Sequence, residues 1–345
     1  MLFVTFVTGK ASPKISKKKT RFLVAGATGG LNQQRNQIVD IVVIARILEA
    51  ALVVPVLQLN EDGVLVLKGL DSKLSRNLPS DLQKLLCEVA FHALRYAAPI
   101  TELGNRLTRG IWIEGPFIAF HLQREKDVWV RTGCLTGLGT EYDDIITKVR
   151  ESQPEYLTGR LNMTYIQRRL AGLCPLNALE MARFLKALGA PRSARVYIAG
   201  GEPFGRNKAL QPLVAEFPNV VTKQKLAQNR ELTQYINMSS ALAANDYIVS
   251  LSSDVFVPSY GGNMGSAMQG HHAYVGHRKY IKPNKRGMLS FFDDTSISDA
   301  EFGSIMRKLH RKSQVQPEMR ANWRDRDVIA YPIPECMCRH STGIF

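Results

Sequence analysis

Short apolar runs alternate with segments of helical period in both halves of this 345-residue chain. In the first half, the apolar run 22–25 precedes a glycine-containing turn and the segment 36–51, whose apolar residues recur at about helical spacing. In the second half, 195–200 and 246–251 are predicted strands, and predicted helices lie between and after them. Strands that alternate with helices favour parallel sheets with helices on both faces. The sequence therefore predicts an α/β protein with two doubly wound domains.

The length of the chain supports two domains, and the pattern places their limits. Residues 1–20 are predicted to be a disordered basic leader, and 321–345 a polar C-terminal tail. The first domain is predicted over 21–174 and the second over 175–320. The boundary is placed near 128–174, which is predicted to be a less regular connector.

Two strand candidates in the first half lie unusually close together along the chain. They are 52–57 and 64–67, with only 58–63 between them. A parallel crossover needs roughly a dozen or more residues. The two strands therefore either pair as a hairpin, or a connecting segment is absent from this sequence.

The net charge of +15 is compatible with three classes of anionic partner, which are nucleic acid, an anionic membrane and an acidic polysaccharide. No zinc spacing, RNA-binding signature or basic leucine-zipper pattern is present, so no nucleic-acid partner is expected. No stretch approaches the roughly 18 apolar residues that span a bilayer. The apolar start, 1–8, lacks a basic region before it and a clear cleavage site after it. The sequence therefore predicts neither a membrane anchor nor a signal peptide.

Four polar loops with glycines or other small residues follow predicted strands. Ligands of α/β folds lie beyond the carboxyl ends of the strands, where such loops converge. Small residues let backbone N–H groups approach a phosphate, and a helix start favours an anion. One such loop is an ordinary turn, but four together favour a nucleotide-type ligand. The loops are GGLNQQR (29–35), HLQREKD (121–127), AGGEP (199–203) and the segment 252–265.

Several other classes of protein lose support. The first strand is not followed by G-x-G-x-x-G, and G-x-x-x-x-G-K-[ST] is absent, which disfavours a dinucleotide oxidoreductase and a P-loop NTPase. No metal-ligand spacing and no G-x-S-x-G hydrolase elbow are present. The five cysteines lack C-x-x-C spacing and leave the redox compartment open. Two glycosylation sequons begin at Asn162 and Asn237.

Taken together, these loops and their neighbours resemble the plant O-fucosyltransferase family over most of residues 21–340. That resemblance implies a GT-B glycosyltransferase, with two Rossmann-like domains that face a cleft. It also implies inverting transfer of fucose from GDP-fucose to a protein or glycan hydroxyl, with no cofactor and no bound metal. Family members are typically Golgi proteins with an N-terminal membrane anchor, which is not found here. The matching segments are GGLNQQRNQIVD (29–40), HLQREKDVW (121–129), RTGC (131–134), AGLCPLN (171–177), AGGEPFG (199–205), 246–265, GHHAYVGHRK (270–279) and PECMC (334–338).

The same resemblance assigns roles to individual residues. Asp254 is expected to orient the nucleoside, and the segment 259–264 to contact the diphosphate. The catalytic residues that it implies are Asn32, Arg35, His121 and Arg124. The substrate-binding residues that it implies are Gly29, Gly30, Gln123, Glu202, Asp254, Ser259, Gly261, Gly262, Asn263 and Met264.

Two departures from the family pattern affect these expectations. The family has His-x-Arg after the strand, whereas here the third position is Gln123 and the arginine is Arg124. A shift of one residue after a strand directs the side chain to the opposite face. The family also carries an extended segment at the short link over 58–63. The chain is therefore expected to be a truncated or exon-skipped product of reduced activity.

Two alternatives to fucosyl transfer stay open at the level of sequence. One is a rhamnosyltransferase of pectin or another cell-wall polysaccharide that uses a UDP-sugar. The other is a non-catalytic sugar-nucleotide-binding relative, which Gln123 and the short link motivate. If the chain reaches the secretory lumen, a disulfide between Cys134 and Cys174 is predicted, because both cysteines flank the connector.

Overall fold

A computed structural model describes residues 5–6, 22–27, 29–53, 65–67, 78–157, 162–228, 230–276, 279–294, 296–315 and 328–331. Most of the predicted leader and most of the predicted C-terminal tail lie outside these residues. Within the leader, the prediction of disorder is wrong at Thr5–Phe6, which pairs antiparallel with Leu94–Arg95. Among the described residues, no helix is both long enough and apolar enough to cross a bilayer.

The strands are β1 (Thr5–Phe6), β2 (Phe22–Ala25), β3 (Ala51–Val53), β4 (Leu65–Leu67), β5 (Leu94–Arg95), β6 (Phe117–His121), β7 (Arg195–Ala199), β8 (Val220–Thr222), β9 (Val255–Pro258) and β10 (Lys279–Tyr280). The α-helices are α1 (Leu31–Ile47), α2 (Ser80–Glu88), α3 (Ala98–Trp112), α4 (Lys126–Thr132), α5 (Thr140–Ser152), α6 (Tyr165–Leu170), α7 (Ala178–Ala187), α8 (Arg206–Glu216), α9 (Lys223–Leu226), α10 (Ser239–Leu251), α11 (Asn263–Gly276), α12 (Lys285–Phe292), α13 (Asp299–Leu309) and α14 (Arg311–Val315). A π-helical turn over Val89–Ala93 continues α2.

A five-stranded sheet has the order β10-β9-β6-β7-β8, and every neighbouring pair is parallel. The chain starts at the central strand β6, adds β7 and β8 on one side, and then crosses to add β9 and β10 on the other. The strand order therefore reverses between β6 and β9. In doubly wound sheets, ligands bind beyond the carboxyl ends of the strands at this reversal.

Alternate residues of each strand face opposite sides of this sheet, as the period of two requires. On one side, Phe117, Ala119 and Tyr197 lie in a buried cluster with side chains of α3, α10 and α11. On the other side, Phe120 and Ile198 lie in a second cluster with side chains of α7, α8 and α13. The predicted α/β class with helices on both faces of a parallel sheet is confirmed.

The first half of the chain forms a separate three-stranded sheet of order β3-β2-β4. Both β3 and β4 run parallel to β2, which lies between them. The hairpin alternative is therefore wrong, since the two strands neither pair with each other nor run in opposite directions. Only residues 54–64 separate them along the chain.

The buried cluster that contains Phe117 and Tyr197 also joins helix α1 to the five-stranded sheet. Leu31, Val39 and Val43 of α1, the helix that follows β2, belong to it together with Phe117 and Tyr197 of the five-stranded sheet. Helix α1, which begins within GGLNQQR, is therefore packed directly against the helices that cover the five-stranded sheet.

Two parts of the sequence reading are wrong. Residues 246–251, predicted as a strand, belong to helix α10. These residues form a helix because Tyr247 and Ile248 pack toward α3. The two helices approach closely there, since a Cβ on Gly104 of α3 would lie only 2.6 Å from Ile248 Cδ1. The connector over 128–174 is not irregular, since it contains α5 and α6 and most of α4.

The position of strand β6 can be compared with the predicted domain boundary at residue 174. The strand begins at Phe117, inside the predicted first domain of 21–174, yet it is the central strand of the five-stranded sheet. The sheet that holds the second half of the chain therefore begins before the connector.

Candidate functional site

The loops that follow β6 and β9 are joined at the reversal of the strand order. The Ser259 backbone N–H and hydroxyl both donate to the His121 carbonyl oxygen, each over 3.1 Å. The Gln123 N–H donates in turn to Ser259 Oγ over 3.4 Å. Ser259 is nearly inaccessible to solvent. The structure therefore brings together His121, Gln123 and the serine that starts the predicted diphosphate loop, and Ser259 holds the two loops in register.

Helix α11 begins where this loop ends. Gly261, Gly262 and Asn263 are exposed, whereas Met264 is buried in the core. The first N–H groups of a helix have no partner within the helix, and its dipole favours an anion there. A Cβ on Gly262 would lie 3.4 Å from both amide atoms of Gln123, so the loop passes close to that side chain. This helix start provides a place for a phosphate group next to Gln123.

His121 lies at the carboxyl end of β6 and is 8% exposed. Its Nδ1 is buried and has no hydrogen-bond partner in the described part of the chain. Burial, with a smaller contribution from the positive charge of Lys223, lowers the pKa of His121 to about 4. The imidazole is therefore neutral at physiological pH, and it offers a hydrogen bond rather than a charge to a ligand.

The lowered pKa of His121 predicts a loss of stability on acidification. The unfolded chain protonates His121 near the ordinary value of 6.5, while the folded protein resists protonation until about 4. Stability is therefore complete above the higher value and falls as the pH drops between the two. We expect this residue to contribute a loss of about 2.5 kcal/mol between about pH 7 and about pH 4.5.

Urea unfolding of the wild type and of His121→Gln at the two pH values measures this contribution. The variant should lose less stability on acidification, although not none, because burial also lowers the pKa of His271. Equal losses in the two proteins would contradict the assignment.

Buried polar atoms without a partner mark several of the residues that the sequence singled out. Among the described residues, the side chains of Asn32, His121, Gln123 and Arg124 each carry such an atom. Buried polar groups are almost always satisfied by protein, water or a ligand. Three of these side chains, Asn32, His121 and Gln123, are suited to hydrogen bonds with the hydroxyl groups of a ligand, because amides and imidazoles both donate and accept.

Arg124 does not lie with Gln123. Its Nη1 donates to the Ala209 carbonyl oxygen of α8 over 2.9 Å, and its guanidinium lies 5.7 Å from the centre of the Trp129 ring. Burial lowers its pKa to about 10, against a smaller opposing effect of Glu180. The arginine is thus built into the packing between α4 and α8.

The GGLNQQR segment turns from β2 into α1. Gly29 has a φ of +91°, a conformation that favours glycine. The Gly30 N–H donates to Gln33 Oε1 over 3.0 Å, and Gln34 Nε2 donates to the Gly29 carbonyl oxygen over 2.7 Å. The backbone groups of this turn are therefore partly satisfied by the segment's own glutamines, unlike the start of α11.

Arg35 connects this segment to helix α10, which packs on the five-stranded sheet. Its Nη1 donates to Tyr96 Oη over 2.8 Å, and its Nη2 donates to the Ala90 carbonyl oxygen over 3.1 Å. Its guanidinium also lies 4.4 Å from the centre of the Tyr247 ring of α10. These contacts hold Arg35 against α10 rather than in either of the two joined loops.

Asp254 and Glu202 lie apart from the joined loops. Asp254 immediately precedes β9, and its Oδ2 accepts from the Phe117 N–H over 3.0 Å. It therefore sits at the amino end of the sheet, opposite the end that holds Ser259, and its expected role toward the nucleoside does not fit this position. Glu202 is exposed and pairs with Arg206 of α8 over 3.3 Å.

Two lysines that sequence reasoning missed lie beside the start of α11. Lys282 and Lys285 line a small cavity together with Ser259, Gly261 and Gly262. Their region was detectable, because four basic residues fall within 279–286. They escaped notice because the turn after a two-residue strand has no helical or strand periodicity.

Lys285 is held in place by its surroundings. Its ammonium donates to the Cys174 carbonyl oxygen over 2.6 Å and lies 4.7 Å from the centre of the Tyr260 ring. Burial lowers its pKa to about 8, with a smaller lowering by Lys282 and an opposing effect of Glu180. A positive charge is thus placed next to the loop predicted to hold a diphosphate.

The predicted disulfide between Cys134 and Cys174 is present and closes a separation of 40 residues. It fixes the end of α4 to the segment before α7. Two residues further on, the Leu176 N–H donates to the Ser259 carbonyl oxygen over 3.2 Å. The crosslink therefore supports the loop after β9. Cys87 is also disulfide-bonded.

Comparison with known families gives a match to the family described as GDP-fucose protein O-fucosyltransferase, over residues 22–61 and 56–275. The two matched parts overlap over 56–61. No solved structure matches the chain.

Similar proteins come from Arabidopsis thaliana. O-fucosyltransferase 37 is 59% identical over 97% of this chain and 72% of its own length. O-fucosyltransferase 20 is 48% identical over 95% of this chain and 69% of its own length. Rhamnogalacturonan I rhamnosyltransferase 1 is 36% identical over 74% of this chain and 51% of its own length. The first of these alignments runs over 405 positions, more than the 345 residues of this chain, so that relative contains residues with no counterpart here.

Proposed function

The chain belongs to the GDP-fucose protein O-fucosyltransferase family, and from this membership we propose that it transfers fucose from GDP-fucose to a hydroxyl of a glycan or protein. It is a glycosyltransferase by the same membership. The observation that carries the proposal is the joining of the loops after β6 and β9 at the reversal of strand order, with the start of α11 beside them.

The chemistry of the leaving group fits this arrangement. As the bond from the sugar to the diphosphate breaks, negative charge grows on the diphosphate, and donors already aimed at it lower the barrier. The free N–H groups at the start of α11 and the ammonium groups of Lys282 and Lys285 are such donors. These lysines supply positive charge of their own, which supports transfer without a bound metal. Neutral His121 and the amide of Asn32 are suited to sugar hydroxyls.

A shortened link after β3 is part of the proposal. The two strands β3 and β4 both run parallel to β2, although only 54–64 separate them, fewer residues than a parallel crossover usually takes. The family match also breaks into two parts at 56–61. These observations support the view that a segment of the family is missing here, which keeps a non-catalytic, sugar-nucleotide-binding relative as a second candidate.

We propose in addition a GT-B arrangement and a Golgi location. The first is supported by two parallel sheets, each with a helix after its first strand. The second is supported by the Cys134–Cys174 disulfide, because disulfides persist in oxidising compartments. Asn162 and Asn237, which begin the two sequons, are both exposed.

Calorimetric titration of the purified protein with GDP and with UDP tests the choice of donor. We expect GDP to bind and UDP to bind at least about tenfold more weakly, since the family is one of GDP-fucose transferases. UDP binding without GDP binding would overturn the fucosyl proposal. That result would favour rhamnosyl transfer from a UDP-sugar, an activity that the 36% identical relative's name suggests.

A further inference from the structure

The segment 174–176, between α6 and α7, touches the proposed donor site at two points. The Cys174 carbonyl oxygen accepts from the Lys285 ammonium over 2.6 Å, and the Leu176 N–H donates to the Ser259 carbonyl oxygen over 3.2 Å. Ser259 and Lys285 line the same small cavity at the start of α11. Three successive residues therefore set the position of both the positive charge and the loop that are expected to meet the diphosphate.

This segment belongs to no helix or strand, and the disulfide is its covalent tie to a packed region. The other half of the disulfide, Cys134, follows α4 and is firmly held. Arg150 of α5 donates from Nη2 to the carbonyl oxygens of Cys134 and Trp129, over 2.5 and 2.7 Å. Cys134 and Cys174 both lie in a buried cluster with Trp129 and Ile146. The disulfide thus joins an irregular segment to a layer of packed helices.

Lys285 depends on this segment for its position. A half-buried ammonium needs hydrogen bonds or an opposite charge to offset its desolvation. Lys285 forms no ion pair with any described residue, and the hydrogen bond that the structure gives it is the one to Cys174. The groups that act on its charge are Glu180 of α7, which favours it, and Lys282, which opposes it. A displaced Cys174 carbonyl would therefore let the ammonium turn to solvent.

We propose that the Cys134–Cys174 disulfide positions Lys285 and the loop after β9 for a nucleoside diphosphate, and that donor affinity is lost when this bond is open. The class of ligand rests on the proposed function. Closing the bond takes two electrons and two protons from the two thiols, and a disulfide-bearing oxidant accepts them by thiol–disulfide exchange. The chain therefore gains affinity for its donor in an oxidising compartment, where such bonds persist.

Calorimetric titration of the full chain with GDP and with UDP tests the proposal. Cys134→Ala combined with Cys174→Ala should weaken binding of the nucleotide that the wild type binds at least about tenfold, because hydrogen bonds to charged groups are among the stronger ones. The matched control is Cys87→Ala, which opens another disulfide, on α2, and should bind like the wild type. If the double variant folds poorly, reduction and reoxidation of the Cys87→Ala protein should abolish and restore the affinity.

A double-variant cycle with Lys285→Met separates positioning from a general loss of stability. In the closed protein this substitution should weaken nucleotide binding at least about tenfold. In the protein without the disulfide it should cost less than about threefold, because the ammonium has already left its place. A disulfide that only stabilised the fold would give the same cost in both proteins.

The pH dependence of nucleotide binding gives a second measurement. Burial lowers the pKa of Lys285 to about 8. In the closed protein, affinity should therefore fall between about pH 7 and about pH 9, as the ammonium loses its proton. In the open protein a solvated Lys285 returns toward its ordinary pKa of 10.5, so this fall should be absent.

Unchanged nucleotide binding without the disulfide, an equal loss in Cys87→Ala, or additive costs in the cycle would each overturn the proposal. A wild type that binds neither nucleotide would overturn the proposed function as well. UDP binding with the expected coupling to Lys285 would contradict fucosyl transfer alone and leave this inference standing.

Discussion

Replacing Gln123 by arginine is expected to raise the turnover of GDP-fucose by about 30-fold or more. The family resemblance implies an arginine at this position, and the Gln123 amide lies against Gly262 at the start of α11. Its Oε1 is buried without a partner in the described part of the chain. A guanidinium there would face the diphosphate and add a charge-assisted contact of about 2–4 kcal/mol. Arg124 does not replace it, since its Nη1 is bonded to the Ala209 carbonyl oxygen.

Steady-state kinetics of wild type, Gln123→Arg and Gln123→Met separate the possible outcomes. If the new contact acts on the leaving group, kcat should rise, whereas a contact made equally before and during the reaction lowers only KM. The Met variant removes the amide without adding charge and should not gain activity. A wild type that already matches the Arg variant would refute the idea of a weakened site. Tighter GDP binding with flat turnover would instead implicate the short link.

Replacing Lys223 by methionine is expected to lower the free energy of unfolding by about 3–5 kcal/mol. Lys223 and Asp246 form an ion pair of 2.6 Å, with 4% of each side chain exposed. Asp246 also accepts from Tyr197 Oη and from the Gly200 N–H. Without the lysine, the carboxylate is left buried and uncompensated. Burial already acts to raise its pKa, and Lys223 opposes that shift.

Urea unfolding measures this loss, and a double variant controls for it. Adding Asp246→Asn to Lys223→Met removes the stranded charge while an amide oxygen still accepts a hydrogen bond, so most of the stability should return. The Lys223 charge also lowers the pKa of His121, so NMR titration of the single variant should find that pKa higher than in the wild type. If the single and double variants were equally unstable, lost packing rather than the buried charge would explain the effect.

The meeting of two distant loops was predictable because it follows from topology. Parallel strands bring their carboxyl ends to one edge, so polar loops after predicted strands point to a common site. The sequence thus placed His121 and Gln123 near Ser259, but partly for a wrong reason, because the strand before Ser259 is β9, which lies inside the predicted loop 252–265, and the predicted strand 246–251 is a helix. Strand alternation also indicated that the Arg124 side chain would face away from that of Gln123.

The errors arose where tertiary packing outweighed local pattern. Residues 246–251 are rich in residues that favour strands, yet they form a helix because it packs closely on α3 at Gly104. That error moved Asp254 to the wrong end of the sheet. The contacts of Arg35 with Tyr247 and the position of Lys285 depend on long-range packing, and no local spacing in the sequence reports it.

The buried cluster that joins α1 to the helical layer of the five-stranded sheet restricts how a substrate can enter. A hinge motion that swung α1 away from α10 and α11 would expose Leu31, Val39 and Val43. Exposing a fully buried side chain of this size costs about 1.5–3 kcal/mol, so opening several in every catalytic cycle is too costly. Substrate capture and product release are therefore expected to rely on local loop motion, on the nanosecond-to-microsecond scale, and not on millisecond domain closure.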